Sequence, residues 1–350
     1  MARIVVAGSG AIGASIAYNL ALAGADGVVL AERGELCGGS TARAMGGVRQ
    51  QFSSAAEVVL ARESIAFLVS LGPRYFRQVG YLFVATSEEG LAALETRRAL
   101  QRELGVPVER VDPAAIAGLA SVDVVGATCC RSDGVADPLA VAQELIRRAQ
   151  ELGVEVRERT PAEELEAEML VIACGAWSGE VATRIGIELP LRPLCRQLLE
   201  TTPVGGLPDD LPMVVEEETG FHFRRRADRL VLAIADAEPR WTFETVVDES
   251  VFGDRLERLE RRYPAAAGAR IDRAWAGLYD MTPDAHPIVG FVADGVYAAC
   301  GFSGHGFMQS PAVGRAVAEE ILHGEASVDL GPYRLERFES GALLPERLVL

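Results

Sequence analysis

Three glycine-rich turns carry the residues of this sequence whose types and spacing could do chemistry. The first, Gly8-Ser9-Gly10-Ala11-Ile12-Gly13, follows the short apolar run at residues 3–7. In such a turn the first glycine permits a tight bend, the second lets the backbone approach a pyrophosphate, and the third lets the next helix pack against the strand. The N-terminus of that helix offers unpaired N–H groups and roughly half a positive elementary charge to phosphates.

An acidic residue stands where this kind of turn needs one. The apolar run at residues 28–31 ends on Glu32, whose carboxylate can accept hydrogen bonds from a ribose 2′-hydroxyl and disfavours a 2′-phosphate. Strand, glycine turn, helix, strand and acid thus follow in the order of a dinucleotide-binding unit. Glycines used only for packing would leave Glu32 unexplained. Taken alone, the stretch leaves NAD and FAD both open.

Two further turns predict additional backbone cradles. Residues 38–49 contain four glycines, with the hydroxyls of Ser40 and Thr41 able to donate to a phosphate. A flexible surface loop is the alternative interpretation of this segment. Residues 301–307 follow a predicted strand at 296–300 and precede a helix predicted over 311–322, so a second helix N-terminus points at an electron-rich group.

Composition narrows the class of protein. A chain of 350 residues with 49% hydrophobic content predicts about two domains. The net charge of −16 argues against nucleic-acid binding, which needs a basic face. We expect no membrane span, no signal peptide and a cytoplasmic location. All 34 basic residues are arginine. The six cysteines form no CxxC pair and the four histidines show no metal-ligand spacing, so we expect buried thiols and no metal.

The fold class that these patterns predict is α/β, with two domains of α+β character. Residues 169–177 predict a buried strand beside the first one, in a mainly parallel, Rossmann-like sheet. Short alternating strands at 198–201, 221–225 and 230–235 predict an antiparallel sheet laid over the nucleotide domain. Irregular packing is expected from residue 331 onward.

Taken together, the three turns resemble those of FAD-dependent amine and amino-acid oxidoreductases of the D-amino-acid-oxidase superfamily. Within it, the chain is most similar to the branch of the sarcosine oxidase β-subunit, dye-linked proline dehydrogenase and glycine oxidase. The resemblance spans nearly the whole chain, and the turn at residues 301–307 is its most specific part. The matching segments are residues 4–32, 39–49, 133–138, 173–178, 277–284 and 301–314.

This resemblance implies that the cofactor is FAD and assigns residues to it. The ADP half and the pyrophosphate would be held by Gly8, Gly10, Ala11, Ile12, Gly13, Glu32, Arg33, Ser40, Thr41 and Arg43. The remaining cofactor-binding candidates, several of them near the flavin ring, are Met45, Gly46, Gly47, Gly175, Trp177, Gly277, Gly304, His305, Gly306, Phe307 and Met308. Backbone N–H groups at residues 304–308 would stabilise negative charge on the reduced flavin.

Departures from the family pattern carry expectations of their own. Relatives with a covalent flavin have cysteine at the position of Gly277, so we expect non-covalent FAD. The β-subunits that tether FMN use a histidine within the segment matching residues 131–138, where this chain has none. Monomeric sarcosine oxidases have lysine at the position of Met308 and another lysine that assists the reaction with oxygen. A chain without lysine lacks both, which weakens the interpretation as a simple oxidase.

The predicted reaction is hydride transfer from the α-carbon of an amino acid or N-substituted amino acid to flavin N5, giving an imine. The catalytic candidates are Arg49, Tyr279 and His305, with Arg49 as the preferred partner of a substrate carboxylate and Arg224 as a weaker one. His222 lies on a predicted strand over the site, with either face inward. The alternative functions are a flavoprotein subunit that passes electrons to a partner chain, or an idle FAD-binding protein. Possible partners are a small-molecule amine or amino acid, a partner subunit, or a second copy of the chain in a homo-oligomer.

The resemblance also implies a domain division. The FAD-binding domain would be discontinuous, over residues 1–78, 136–188 and 276–330. The substrate domain would take residues 79–135 and 189–275, followed by a C-terminal tail at 331–350.

Overall fold

A computed structural model describes residues 3–343, which fold into strands and helices arranged in three sheets. The strands are β1 (Ile4–Ala7), β2 (Val28–Ala31), β3 (Gly47–Val48), β4 (Phe76–Arg77), β5 (Tyr81–Ala85), β6 (Val108–Val111), β7 (Gly126–Cys130), β8 (Gly134–Ala136), β9 (Glu155–Arg157), β10 (Met169–Ile172), β11 (Arg192–Thr201), β12 (Met213–Glu216), β13 (His222–Arg226), β14 (Arg229–Ala233), β15 (Ile271–Met281), β16 (Ile288–Ala293) and β17 (Val296–Cys300). The helices are α1 (Ala11–Leu22), α2 (Ala55–Leu71), α3 (Glu88–Glu103), α4 (Pro138–Glu151), α5 (Ser178–Arg184), α6 (Phe252–Arg262), α7 (Gly306–His323) and α8 (Arg337–Ser340). Within this range, no helix combines the length and apolar character that a membrane span needs.

The six-stranded sheet confirms the predicted parallel, Rossmann-like architecture. Its order is β16-β17-β10-β1-β2-β9, parallel throughout except for the edge strand β16. Every residue of β1 and β2 is buried, as expected when both faces of a parallel sheet are covered. Helix α1 packs against α4 and α7 on one face. Asp137 caps α4, because its carboxylate accepts a hydrogen bond from Ala140 N at 3.0 Å. Pro138 is the first residue of this helix, a position at which no backbone N–H is needed.

The eight-stranded sheet has the order β15-β11-β14-β13-β12-β5-β7-β6. It is antiparallel as predicted, except at one parallel junction between β12 and β5. Strand β11 begins six residues earlier than the predicted start at 198, because it pairs with β15 along its length. Apolar residues of α6 pack against this sheet, and Met213 and His222 of its strands line the cavity described below. The predicted domain boundary at 276 falls inside β15, and the domain division stays a prediction.

The predicted start of the last long helix at Pro311 is wrong by five residues. Helix α7 begins at Gly306 and runs through Pro311. Proline has no N–H for the carbonyl four residues earlier, which belongs to Phe307. The Ser310 hydroxyl donates to that carbonyl at 2.9 Å and replaces the missing bond. The helix ends at His323, one residue beyond the predicted end at 322, and Gly324 follows it in the left-handed conformation.

The C-terminal segment is more ordered than predicted. Residues 337–340 form α8, and the buried Arg337 pairs with Asp284, with its Nε 2.8 Å from Oδ2. The same guanidinium donates to His286 O at 2.8 Å. This segment therefore holds the loop after β15, which leads into the site described below. Residues 344–350 of the predicted tail lie outside the described range.

Gly314 sets how closely α7 approaches α1, and its substitution tests this packing. A Cβ at this position would lie 2.1 Å from Ser15 Oγ and 2.6 Å from the Ser15 carbonyl carbon. Because the backbone of α1 cannot yield cheaply, we expect Gly314→Ala to lower the free energy of unfolding by about 1–3 kcal/mol. Urea unfolding monitored by circular dichroism measures the change.

The matched control is Gly253→Ala in the exposed part of α6, where no atom lies within 4 Å of the added Cβ. We expect unchanged stability there, or a gain of up to about 1 kcal/mol from helix propensity. Equal losses in both variants would contradict the close approach of α1 and α7.

Candidate active site

A cavity of about 570 Å³ lies between the two large sheets. Its lining contains the predicted catalytic residues Arg49, Tyr279 and His305. It also contains every predicted cofactor-binding residue except Gly13, namely Gly8, Gly10, Ala11, Ile12, Glu32, Arg33, Ser40, Thr41, Arg43, Met45, Gly46, Gly47, Gly175, Trp177, Gly277, Gly304, His305, Gly306, Phe307 and Met308. Residues from all three glycine-rich turns are thus brought to one continuous space.

The first turn has the geometry that its glycines predict. Gly8 has a φ of +99°, and a Cβ there would lie 2.4 Å from Ala173 O. A Cβ at Gly13 would lie 1.8 Å from Gly8 O, so this glycine sits beneath the turn and lets α1 pack against it. At Gly10 a Cβ would enter the cavity side of the turn, 3.2 Å from Thr41 Oγ1. The turn is therefore a cradle that side chains would fill.

Glu32 is held in place at the end of β2. Its Oε2 accepts from Ser9 N at 3.0 Å and from Ser9 Oγ at 2.9 Å. Its Oε1 accepts from Gly34 N at 2.9 Å. These bonds fix the carboxylate on the cavity wall, where the unused lone pairs can accept from a ligand hydroxyl.

In the second turn, the Ser40 hydroxyl does not have the hydrogen-bond partner that the sequence predicts. The Ser40 hydroxyl donates to Leu278 O at 2.6 Å, so its hydrogen is engaged in the protein. The Thr41 Oγ1 accepts from Ala11 N at 3.0 Å, which leaves its hydrogen available to a ligand. Arg43 donates to the carbonyls of Gly38 and Gly39 at 2.6 and 3.1 Å. The geometry favours Thr41 over Ser40 as a phosphate donor.

The third turn is strained and supported from below. Gly301, Ser303 and Gly304 have φ values of +77°, +51° and +96°, in the region that glycine tolerates best. The Asp280 carboxylate accepts from Gly301 N at 2.7 Å, and burial raises the pKa of this group. A Cβ at Gly304 would lie 2.5 Å from the Tyr279 ring. Helix α7 starts at the next glycine, so its free N–H groups border the cavity.

Arg49 is completely buried and engaged with protein groups. Its Nη1 donates to Gln51 O at 2.5 Å, and its Nη2 lies 3.3 Å from His305 Nε2. Because a guanidinium only donates, His305 Nε2 is the acceptor in this pair. The guanidinium carbon also lies 4.1 Å from the centre of the Phe52 ring. Arg49 and His305 thus form one unit at the start of α7.

A buried carboxyl group holds the segment after β3, which carries Arg49. Asp133 accepts from Gln50 N at 3.0 Å and from Gln51 Nε2 at 3.0 Å. Burial raises the pKa of Asp133 to about 6, and the hydrogen bonds from the two glutamines oppose that rise. The sequence indicated Asp133 only as part of a turn, since nothing local marks a contact across 83 residues.

Arg196 is the site residue that sequence reasoning missed. It lies on β11 opposite Gly277 of β15, and its guanidinium carbon is 6.0 Å from the centre of the Tyr279 ring. Its Nε and Nη1 are buried and make no hydrogen bond within residues 3–343. The weaker candidate Arg224, by contrast, does not line the cavity. Arg196 precedes the predicted strand at 198–201, and no local pattern around it marks a site residue.

His222 faces inward and stays neutral. It lines the cavity and is 5% exposed. Its Nδ1 lies 2.8 Å from Gly220 O, so Nδ1 carries the hydrogen. Burial, reinforced by the charges of Arg49 and Arg196, lowers the pKa of His222 to about 4.

The cysteines on the cavity wall are poor nucleophiles. Burial raises the pKa of Cys37 to about 11 and that of Cys174 to about 12, so both are protonated thiols at neutral pH. Covalent relatives carry a cysteine at the position of Gly277. A Cβ added at Gly277 would lie 3.1 Å from the Cβ of Arg43. In the described part of the chain, no cluster of histidine, cysteine and acidic side chains could hold a metal ion.

Comparisons with known proteins agree with this geometry. A family model described as FAD dependent oxidoreductase matches residues 3–320. FAD-dependent oxidoreductase domain-containing protein 1 of Bos taurus is 31% identical over 99% of this chain and 87% of its own length. Mitochondrial sarcosine dehydrogenase of Homo sapiens is 26% identical over 96% of this chain but only 41% of its own length. The expected cytoplasmic location of this chain stays a prediction.

A solved structure extends the comparison to three dimensions. L-proline dehydrogenase from P. horikoshii superimposes with a TM-score of 0.90 and 28% identity, covering 98% of this chain and 99% of the other. The residues that line the cavity also fit FAD, independently of these comparisons. Two helix N-termini, a fixed acidic residue and glycines whose Cβ atoms would close the cradle all border the same cavity.

Release of the cofactor tests the non-covalent attachment. We expect that trichloroacetic acid precipitation of the yellow holoprotein leaves all flavin in the supernatant, because glycine occupies position 277, where the covalent relatives have cysteine, and burial keeps the wall thiols of Cys37 and Cys174 protonated. Absorbance of pellet and supernatant at the flavin maximum measures the split. Flavin fluorescence in the washed pellet would contradict the expectation.

The neutral state of His222 also predicts a pH dependence of stability. Its pKa in the folded chain, about 4, lies below its ordinary value of 6.5, so the unfolded chain binds more protons between these two values. Stability therefore falls as pH decreases through this window, and His222 contributes about 1 kcal/mol of loss between pH 7.5 and 5.5. Urea unfolding at both pH values should show a smaller loss in His222→Gln. An identical loss in both proteins would contradict a neutral buried imidazole.

Proposed function

The chain belongs to the family of FAD-dependent oxidoreductases, and from this premise we propose that it oxidises an amino acid or an N-substituted amino acid at the α-carbon. The product would be an imine, which water hydrolyses. FAD bound in the cavity would supply the redox chemistry by accepting a hydride at N5. The residues of this chain bind and orient the substrate.

The named activities of the relatives support this substrate class. One similar protein is a sarcosine dehydrogenase and one similar structure is an L-proline dehydrogenase. Sarcosine and proline both carry a carboxylate and an amine on the same carbon. A site for either needs a cation for the carboxylate, because a buried carboxylate without a partner costs several kcal/mol.

The observation that carries the proposal is the unmatched guanidinium of Arg196. It forms no ion pair with a described carboxylate, and two of its nitrogens are buried without a hydrogen bond. Such an arrangement is costly unless a ligand completes it. A substrate carboxylate would supply both charge and two acceptor oxygens for a bidentate contact. We therefore assign the carboxylate to Arg196, in place of Arg49.

Other residues fit supporting roles. Arg49 and His305 form a buried pair beside the start of α7, which suits fixing the cavity wall and its positive potential. The Tyr279 ring packs beneath Gly304 and next to Arg196, where it can shape the floor under a small substrate. Burial raises the pKa of Tyr279, so its hydroxyl stays protonated and can donate.

The electron acceptor is a separate part of the proposal. The chain contains no lysine, the residue that the resemblance implies for the reaction with oxygen. We propose a dehydrogenase that passes electrons to a dye, a quinone or a partner chain faster than to oxygen. Comparing turnover with oxygen and with an artificial dye tests this point, and faster turnover with oxygen would contradict it.

Substitution of Arg196 tests the assignment of the carboxylate. We expect Arg196→Gln to raise the KM for an amino-acid substrate by about 10- to 100-fold, because a charge-assisted hydrogen bond contributes roughly 1.5–3 kcal/mol. Anaerobic bleaching of the flavin by glycine, sarcosine, L-proline and D-amino acids first identifies a substrate. Steady-state kinetics with a dye then gives KM and kcat.

Arg192→Gln provides the matched control. Arg192 lies on the same strand, is exposed, and stacks on Trp241 at 4.3 Å, outside the cavity. We expect no change in KM for this variant. If no compound of the panel bleaches a well-folded, FAD-loaded wild-type protein, the proposed activity fails.

A further inference from the structure

The end of the cavity beneath the eight-stranded sheet is rich in hydrogen-bond donors. Arg49 and Arg196 can only donate, and both line this end. The hydroxyl of Tyr279 is protonated because burial raises its pKa. A substrate that brings a carboxylate to Arg196 also brings an amine, whose N–H needs an acceptor. The acceptor for this N–H must therefore come from another group that lines the cavity.

His222 is placed to supply it. Its imidazole lines the cavity from β13, two strands away from Arg196 in the same sheet. The bond from Nδ1 to Gly220 O fixes the tautomer and leaves a lone pair on Nε2. That nitrogen makes no hydrogen bond to any residue between 3 and 343. The ring is therefore an acceptor without a protein donor.

Burial and the charges around His222 keep this lone pair available. Burial is the main cause that disfavours a proton on the ring, and the charges of Arg49, from the segment after β3, and Arg196, from β11, act in the same direction. The nearby phenol groups of Tyr81 on β5 and Tyr279 on β15 are neutral, since burial raises the pKa of each. At neutral pH the imidazole can thus accept a hydrogen bond but not donate one at Nε2.

We propose that His222 Nε2 accepts a hydrogen bond from the N–H of the neutral substrate amine, and that the site selects primary and secondary amines over tertiary amines. This inference rests on the proposed function and specifies its substrate class. The two guanidinium groups disfavour an ammonium ion in the same space. A neutral amine that donates its N–H to His222 keeps its nitrogen lone pair for the reacting carbon. A neutral tertiary amine has no N–H and leaves the acceptor unmatched.

A pair of non-reacting ligands isolates this hydrogen bond. Pyrrole-2-carboxylate and furan-2-carboxylate have nearly the same shape and the same carboxylate, but only pyrrole has an N–H. We expect the FAD-loaded wild-type protein to bind pyrrole-2-carboxylate about tenfold more tightly, from one hydrogen bond to a buried acceptor. Titration followed by the change in flavin absorbance gives both dissociation constants.

Variants at this position complete the test. We expect His222→Leu to abolish the preference and His222→Gln, which keeps a neutral acceptor, to retain part of it. His323→Leu, at the exposed end of α7, is the control and should leave both constants unchanged. A parallel comparison of sarcosine with N,N-dimethylglycine should show the same loss of discrimination in His222→Leu.

The outcomes separate this inference from the proposed function. Equal affinity of the wild-type protein for both ligands, or a full preference in His222→Leu, would overturn the role of His222 while leaving the carboxylate site intact. Failure of both ligands to bind the FAD-loaded wild-type protein would instead refute the carboxylate site at Arg196. If His222→Leu does not retain FAD, the preference of the wild-type protein and its response to His222→Gln decide the question.

Discussion

The close packing of α1 against α7 is the contact on which the rest of the site depends. Each helix follows a strand of the parallel sheet, α1 after β1 and α7 after β17, so both N-termini emerge at the carboxyl edge of that sheet. Because Gly314 of α7 has no side chain, its backbone can pack directly against Ser15 of α1. The positive ends of both helices therefore border one cavity. A larger residue at this contact would separate the two halves of any ligand site built between them.

The distribution of charge along the cavity follows from this arrangement. The chain has a net charge of −16, and Glu32 lies at the end near the first glycine turn, where the other glutamates of the lining, Glu35, Glu163 and Glu180, form ion pairs with Arg159, Arg184 and Arg33. The opposite end is bordered by Arg49 and Arg196. A ligand with hydroxyl groups at one end and a reaction partner with a carboxylate at the other matches this polarity. Long-range repulsion from the acidic surface makes local cations more important for anionic substrates.

Whether a feature of the fold or of the site can be predicted from the sequence depends on how far apart in the chain the contacting residues lie. The glycines at 8, 10 and 13, the acid at 32 and the cap of α4 by Asp137 are local signals, and the structure has each of them in the expected geometry. The predicted start of α7 is wrong because a proline is typical of the first turn of a helix, whereas Pro311 lies inside this one. The Ser310 hydroxyl replaces the hydrogen bond that Pro311 cannot donate. Arg196 escaped notice because its position depends on the register of β11 with β15, which no local pattern encodes. The engagement of the Ser40 hydroxyl with Leu278 likewise requires a contact across 238 residues.

The contrast between Arg49 and Arg196 shows how burial sorts two similar side chains into different roles. A guanidinium far from water must find acceptors, and Arg49 finds them in Gln51 O, His305 and the Phe52 ring. Both of its terminal nitrogens are engaged within the chain, whereas its buried Nε makes no hydrogen bond among residues 3–343. Arg196 has the same chemistry on a strand whose neighbours, Gly277 and an aromatic ring, supply no carboxylate. Arg196 is partly buried, and its Nε and Nη1 have no hydrogen-bond partner among residues 3–343. Under the proposed function, a substrate carboxylate would be that partner. Burial acts on His222 as well: it is the main cause that lowers the pKa of this imidazole and keeps it neutral, and the charges of Arg49 and Arg196 act in the same direction.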